Sequence, residues 1–198
     1  MIFSKPISVA GNVVACLRTV IDHDPQIANP VLLPWRKEVP SKVLCFAWRA
    51  VMGRLPSAEA LIRRGIAVPS PTCSRCNDGL ESVDHILVSC PLVRLVWEAV
   101  WKWCGMQFSD FQSVGEILKY AASWGRCPKK RVMFSVICYG VLWTLWKTRN
   151  ERVFKNKLAS SSMIIDEILS LVFLWFKHRG DLGNCNWVVW CMLPFDCL

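Results

Sequence analysis

The sequence predicts a mostly α-helical protein. Apolar residues recur every three or four positions along several segments, and Ser, Pro or Gly stands at the segment ends, as is typical of helix boundaries. Strand-length and helix-length apolar runs do not alternate, as a parallel sheet would require. The 198 residues are 53% hydrophobic and 20% charged, which argues against disorder throughout. This length is sufficient for one large core or two small ones.

Two helices are predicted in front of a cysteine-rich segment. The first follows Pro40, because apolar residues repeat with helical spacing over residues 43–51. Ser57 is a suitable N-cap for a second helix over residues 58–64, and Gly65 is a suitable end for it. Together these segments predict a helical hairpin.

Four further helices are predicted after the cysteine-rich segment. Pro91 opens a helix over residues 92–104 that ends at Gly105, and three more follow over residues 113–124, 129–155 and 163–178. Residues 187–190 predict a short strand or an extended strap. The 11 Trp residues recur in helical segments, where large aromatic side chains are expected to fill the core. In the predicted helix over residues 92–104, the residues expected to face the core are Leu92, Leu95, Val96, Ala99, Val100 and Trp103.

The cysteine-rich segment contains Cys73, Cys76, His85 and Cys90 in the spacing Cys-x2-Cys-x8-His-x4-Cys. Zinc prefers four thiolate or imidazole ligands in a tetrahedron, and a Cys-x2-Cys turn places two of them on one ion. Ser82 is a suitable N-cap for a short helix with the histidine in its first turn. The alternatives are ordinary thiols beside a core histidine, or a redox pair, which would follow a strand that is not predicted here. A Cys3His zinc site is therefore favoured.

Four protein ligands leave no coordination position for water, so the predicted ion is structural and not catalytic. One Zn²⁺ is the predicted cofactor, and no small-molecule substrate is expected. On this basis the chain divides into a poorly organised segment over residues 1–34, a zinc-binding domain over residues 35–105 and a Trp-rich helical region over residues 106–198.

The formal net charge of +9 favours an anionic partner, and RNA or DNA is the expected one. The loop between the zinc ligands is unsuited to phosphate, because Asp78, Glu81 and Asp84 lie within it. Basic residues elsewhere are the candidates, with a solvated helix face as the alternative. Trp143 and Trp146 could stack on bases, although a place in the core is favoured. The candidate nucleic-acid-binding residues are Arg63, Arg64, Lys147, Arg149, Arg152 and Lys155.

No signal-peptide pattern is seen at the N-terminus, so we expect an intracellular protein, nuclear or cytoplasmic and not secreted. The uncharged run over residues 132–146 is shorter than the roughly 20 residues that cross a bilayer, so no membrane partner is expected. In a reducing compartment the other cysteines are expected to be buried thiols. These are Cys16, Cys45, Cys104, Cys127, Cys138, Cys185, Cys191 and Cys197.

Several short motifs carry a family resemblance. They are Trp35-Arg36, Val39-Pro40, Phe46-x-Trp48-Arg49, Arg54-Leu55-Pro56, Arg63-Arg64-Gly65, Asp84-His85 and Cys90-Pro91. Together with the Cys3His spacing, they resemble the zinc-binding domain that follows the polymerase in plant LINE-like (non-LTR) retrotransposon reverse transcriptases. Residues 142–154 are similar to the linker before the ribonuclease H domain of such polyproteins. The resemblance implies the same four zinc ligands and a role in holding template RNA or target DNA.

The catalytic residues of those polyproteins are not recognisable in this sequence. No Asp-Asp pair and no ribonuclease H carboxylate set is present, and two-metal phosphoryl chemistry requires clustered carboxylates. The sequence therefore predicts a non-catalytic zinc-binding module, derived from a retrotransposon and detached from its polymerase, that binds nucleic acid. The alternatives are a zinc-stabilised protein-interaction module and a relic with no selected function.

Overall fold

The computed structural model describes residues 33, 35–183 and 185–198. Within these residues the mostly α-helical fold class is confirmed, and no strand longer than an isolated bridge is formed. The predicted segment over residues 1–34 lies, apart from Leu33, outside the described residues. The helices are α1 (Ser41–Val51), α2 (Ala58–Ile62), a π-helix (His85–Ser89), α3 (Pro91–Trp103), α4 (Val114–Ser123), α5 (Pro128–Lys155), α6 (Ser161–Arg179), α7 (Trp187–Met192) and a 3-10 helix (Pro194–Cys197).

The predicted helix boundaries agree with the observed ones to within a few residues, because local capping determines them. Ser57 Oγ accepts a hydrogen bond from Ala60 N at 3.3 Å, and Ser113 Oγ accepts one from Glu116 N at 3.2 Å. Each serine thereby satisfies a backbone donor that has no partner inside the helix. Just after the C-terminal end of α3, Gly105 has a φ of 65°, a conformation that glycine adopts without steric cost.

One hydrophobic core spans the described residues from Val39 to Phe195. The Trp101 side chain of α3 is fully buried, and its ring centroid lies 5.1 Å from that of Phe134 in α5. Side chains on all sides of the first half of α5 are buried between α1, α4 and α6. Within the described residues, the predicted segments 35–105 and 106–198 share this core.

The predicted core face of α3 is wrong in part. Leu92 and Leu95 are 44% and 51% exposed, whereas Val93, Trp97 and Trp101 are buried. These three residues are four positions apart and therefore lie along one side of the helix. Burying two indole rings removes more apolar area from water than burying two leucines, so the tryptophans determine which side of α3 faces the core.

The predicted strand or strap at residues 187–190 is also wrong, because this segment is helical in α7. Asn186 Oδ1 accepts a hydrogen bond from Val189 N at 3.0 Å and caps the helix. The turn of helix buries the Trp190 ring, whose Nε1 donates to Leu169 O in α6 at 3.0 Å. A pattern of two tryptophans flanking two valines is compatible with either conformation, and the contact with α6 favours the helix.

The cysteines outside the predicted zinc site differ from expectation. Cys104 and Cys138 are buried thiols as predicted, whereas Cys127 is exposed at the start of α5. Cys185 and Cys197 form a disulfide, with their Cα atoms 5.0 Å apart, so the thiol prediction is wrong for this pair. Cys45 and Cys191 are partly buried, and Cys16 lies outside the described residues.

The described helices do not have the properties of membrane spans. None of them combines the length and the apolar character needed to cross a membrane.

Candidate metal centre

The structure brings the four predicted ligands together. The Sγ atoms of Cys73, Cys76 and Cys90 and a ring nitrogen of His85 all lie within 4.8 Å of one another. A tetrahedral zinc ion with Zn–S bonds of about 2.3 Å holds its sulfurs about 3.8 Å apart. The donor set and its spacing therefore fit zinc. Cys73 and Cys90 are buried and the other two ligands are partly buried.

A tight turn, which we call the knuckle (residues 72–80), carries the first two ligands. Thr72 pairs with Leu80 in an isolated antiparallel bridge, and Cys73 N donates to Gly79 O at 3.1 Å. Asn77 and Gly79 have φ values of 55° and 69°. Asparagine and glycine are the residues that adopt this left-handed conformation most readily, so the Asn77-Asp78-Gly79 sequence reverses the chain here.

A π-helical turn carries the other two ligands. Ser82 Oγ accepts from His85 N at 3.0 Å, as the sequence predicts, and Cys90 N donates to His85 O at 2.8 Å. In an α-helix, residues five positions apart lie about 140° apart around the axis and would face different directions. The wider π-turn, with its hydrogen bond between residues five apart, brings His85 and Cys90 to the same side. The His-x4-Cys spacing therefore requires this local geometry.

Electrostatics within the cluster favour a thiolate. The pKa of Cys73 is lowered to about 4, chiefly by a hydrogen bond from the Cys90 thiol, against the effect of burial and with help from the backbone N–H groups of Cys76 and Arg75. The pKa of Cys90 is raised by the same hydrogen bond and by burial. Zinc binds cysteine as the thiolate, so the lowered pKa of Cys73 suits the ion, whereas Cys90 would lose its proton when the metal binds.

Comparison with known proteins agrees with this geometry. Residues 18–97 match the family model described as zinc-binding in reverse transcriptase, and all four ligands lie within the match. The match thus identifies residues 18–97 as a segment of the reverse-transcriptase zinc-binding type. The match begins upstream of the predicted start at residue 35 and ends before the predicted end at residue 105.

A curated relative extends the comparison. The "Putative ribonuclease H protein" of Arabidopsis thaliana is 28% identical to this chain over 130 residues. The alignment covers 66% of this chain and 21% of that protein, so the chain spans about a fifth of the relative's length. No solved structure matches the chain.

The knuckle of the zinc-binding domain is docked on α5. The guanidinium of Arg75 donates to Leu145 O at 2.7 Å and to the hydroxyl of Thr148. Glu81, directly after the knuckle, accepts a hydrogen bond from Ala58 N at 3.0 Å and forms a buried ion pair with Arg149. The zinc-binding domain and the long C-terminal helix are thus joined by polar contacts as well as by the core.

The ion pair changes the role of one predicted nucleic-acid ligand. Arg149 is 5% exposed, and its guanidinium is held by Glu81 and stacked over the Trp146 ring at 5.3 Å. A side chain in this position does not reach a phosphate outside the protein. The Arg149 side chain is therefore not part of the candidate surface, and its charge is paired with Glu81 inside the protein.

The other candidate cations do not form one continuous stripe. Arg63 and Arg64 are exposed beyond the end of α2, and Lys155 is exposed at the end of α5. Lys147 forms an ion pair with Glu167 of α6. Arg152 is partly buried, with Nε 3.5 Å from Ser74 O and Nη1 2.6 Å from Asn156 Oδ1.

The three acidic residues of the ligand loop differ in their surroundings. Glu81 is buried and neutralised by Arg149, and Asp84 Oδ1 accepts a hydrogen bond from Val114 N at 2.9 Å. Both carboxylates thus make internal contacts. Asp78 and Asp84 are both exposed, so Glu81 is the one acidic residue of the loop that burial removes from its surface.

Trp143 and Trp146 are partly buried and pack against the core, which is the placement that the sequence favours. Their rings lie 5.3 Å and 6.0 Å from the ring of Phe46 in α1. Arg75 is a contact residue that the sequence did not single out. Its position between two zinc-ligating cysteines is the signal that could have marked it as a contact to a neighbouring element.

Proposed function

We propose that this chain is a non-catalytic nucleic-acid-binding module of a retrotransposon reverse transcriptase, shaped by one structural zinc ion. The observation that carries the proposal is the closed Cys3His cluster clamped against the basic half of α5. Four protein ligands leave no open position on the metal for a reacting water. The zinc would therefore hold the knuckle in place, and the contacts to nucleic acid would come from the residues around it.

The composition of the metal-ligating group in the described residues supports a non-catalytic role, because it contains no carboxylate. The described residues contain one group of three or more Cys, His, Asp or Glu side chains that lie close enough to share a metal ion. This group is the set of zinc ligands. Cleavage or synthesis of phosphodiester bonds by two metals needs a cluster of carboxylates. The matched family model likewise describes zinc binding and no catalytic step.

Charge supports a nucleic-acid partner. The chain has 24 Lys and Arg against 15 Asp and Glu, and no ion pair to Arg63, Arg64 or Lys155 is formed within the described residues. Cations that are not neutralised by the protein release condensed counterions when they meet phosphates, which drives association. A function on nucleic acid would place the chain in the nucleus or the cytoplasm.

Fluorescence anisotropy with a labelled single-stranded RNA tests this proposal. For the zinc-loaded chain, the logarithm of the association constant should fall linearly with the logarithm of salt concentration. An Arg63→Gln and Arg64→Gln double variant should make this negative slope shallower by about 1.4, since each phosphate contact to a single strand contributes about 0.7 to its magnitude. A Lys119→Gln and Lys177→Gln double variant removes the same charge from exposed positions of α4 and α6 and should change the slope less.

Absence of RNA binding at low salt would contradict the proposal. Equal slopes for the two double variants would show that the predicted arginines are not the contact. One observation supports the alternative of a protein-interaction module: apolar side chains are exposed near the junction of α5 and α6. Phe154, Leu158 and Met163 are 77%, 72% and 55% exposed there. A protein partner captured through these residues would bind with little dependence on salt.

A further inference from the structure

A small cavity lies where the knuckle, the basic end of α5 and the start of α6 meet. Its volume is about 70 Å³, which is larger than the roughly 10–15 Å³ that is needed to hold one water. Apolar side chains close part of its wall. Its polar lining consists of Ser74 and Arg75 of the knuckle, Thr148 and Arg152 of α5, Lys157 of the connection and Ser161 of α6.

The charge of the lining is positive. Of the described residues that line the cavity, none is acidic and three are basic. Lys157 Nζ lies 3.3 Å from Glu151 Oε2, which offsets one of these charges. A zinc ion with three thiolates and a neutral imidazole has a net charge of −1, and Arg75 lies beside it in the knuckle. Lys157 and Arg75 are thus each close to a negative charge. The positive charge of Arg152 remains, and it would balance an anion in the cavity.

Two groups in the lining have unsatisfied hydrogen-bonding capacity. Ser74 Oγ is buried and has no hydrogen-bond partner among the described residues. A buried hydroxyl without a partner is unfavourable, so such an atom beside a cavity indicates that something else binds there. Ser161 is the first residue of α6, a helix of 19 residues. Met163 N donates to the N-cap Ser160 Oγ, which leaves the backbone N–H groups of Ser161 and Ser162 as the ones that would favour an anion.

The guanidinium of Arg75 is held in a fixed position by Leu145 O and Thr148 on α5. A fixed guanidinium, a second arginine, hydroxyl donors and a helix N-terminus are the groups that bind phosphate oxygens well. We propose that this cavity binds one backbone phosphate of a nucleic-acid strand. The inference rests on the proposed function, and it adds a specific position at which the strand would be held.

A pair of serine variants tests the cavity. Ser161→Asp places a carboxylate at the cavity wall, whereas Ser162→Asp introduces the same charge in the same helical turn at a residue that does not line it. Both changes suit the first turn of a helix, where acidic side chains are stabilising, so both variants should fold. Ser161→Asp should weaken the binding of labelled single-stranded RNA about tenfold or more, the loss expected for a charge-assisted hydrogen bond, and Ser162→Asp should weaken it much less.

A second pair addresses the arginine directly. Arg152→Gln should lower the salt slope of RNA binding by about 0.7, whereas Lys119→Gln should leave it nearly unchanged. Circular dichroism and zinc content should match the parent chain in all four variants. Suppose that the parent chain binds RNA but that, within each pair, the cavity variant and its control bind RNA equally well. The cavity proposal is then overturned while the proposed function stands. If the parent does not bind RNA at low salt, the proposed function itself fails.

Discussion

The guanidinium of Arg149 forms a buried ion pair with the carboxylate of Glu81, 68 residues earlier in the chain. The two side chains are 6% and 3% exposed, and the carboxylate also accepts a hydrogen bond from Ala58 N. Glu81 directly follows the knuckle and Arg149 lies in α5, so this contact relates the position of the metal centre to that of the longest helix. It connects three elements that are far apart in sequence.

Replacing one partner of this pair should strongly destabilise the protein. In an Arg149→Met variant the Glu81 carboxylate would remain buried without a counter-charge. We expect the free energy of unfolding to fall by about 3–5 kcal/mol, measured by urea denaturation of the zinc-loaded chain. A double variant that also carries Glu81→Leu should recover part of the loss, because it no longer buries an unpaired charge.

Lys155→Met is the control for this prediction, because Lys155 is exposed on the same helix. Its effect should stay within about 0.5 kcal/mol. Similar stabilities for Arg149→Met and Lys155→Met would show that the ion pair does not contribute as the structure indicates.

Metal analysis tests the ligand set. We expect one zinc per purified chain, and loss of that zinc in His85→Ala and in Cys90→Ala, because each change opens the tetrahedron. His178→Ala and Cys127→Ala remove the same chemical groups from exposed positions outside the cluster and should retain the metal. Full zinc content in either ligand variant would refute the assignment.

Removing the metal with a chelator should unfold the knuckle first. Structural zinc contributes on the order of 10–16 kcal/mol of folding free energy in small zinc peptides. The first half of α5 instead packs against α4 and α6 through apolar contacts. Hydrogen exchange should therefore accelerate over residues 72–90 and stay slow over residues 133–145. Simultaneous loss of protection in both segments would show that the core depends on the metal.

The close packing of α5 on α6 depends on Gly140. A Cβ at this position would lie 2.3 Å from Val172 Cγ2, far inside van der Waals contact. Gly140→Ala should therefore destabilise the protein by about 1–3 kcal/mol through overpacking, measured as a change in the free energy of unfolding.

Gly115 in α4 is the matched control. A Cβ there would meet its nearest neighbours at 3.9 Å, so Gly115→Ala should be neutral or stabilise by up to about 1 kcal/mol. Equal effects of the two alanine substitutions would contradict the close approach of α5 and α6.

The sequence alone was sufficient for the features that depend on a few neighbouring residues. Ser57 and Ser113 cap helices where the capping pattern predicts them, and Ser82 caps the turn that holds His85. The Cys3His spacing likewise identified four side chains that the fold brings within 4.8 Å. Hydrogen bonds between residues three to five positions apart decide these features, so local sequence contains the necessary information.

The tertiary structure decided which side chains are buried and what they contact. Helical periodicity could not show that Trp97 and Trp101, in place of Leu92 and Leu95, determine the inner face of α3. It also could not show that Arg149 is buried against Glu81, or that Arg75 and Arg152 line one cavity with Ser161. These residues are tens of positions apart, and the free energy of each contact depends on partners that only the packed helices bring together.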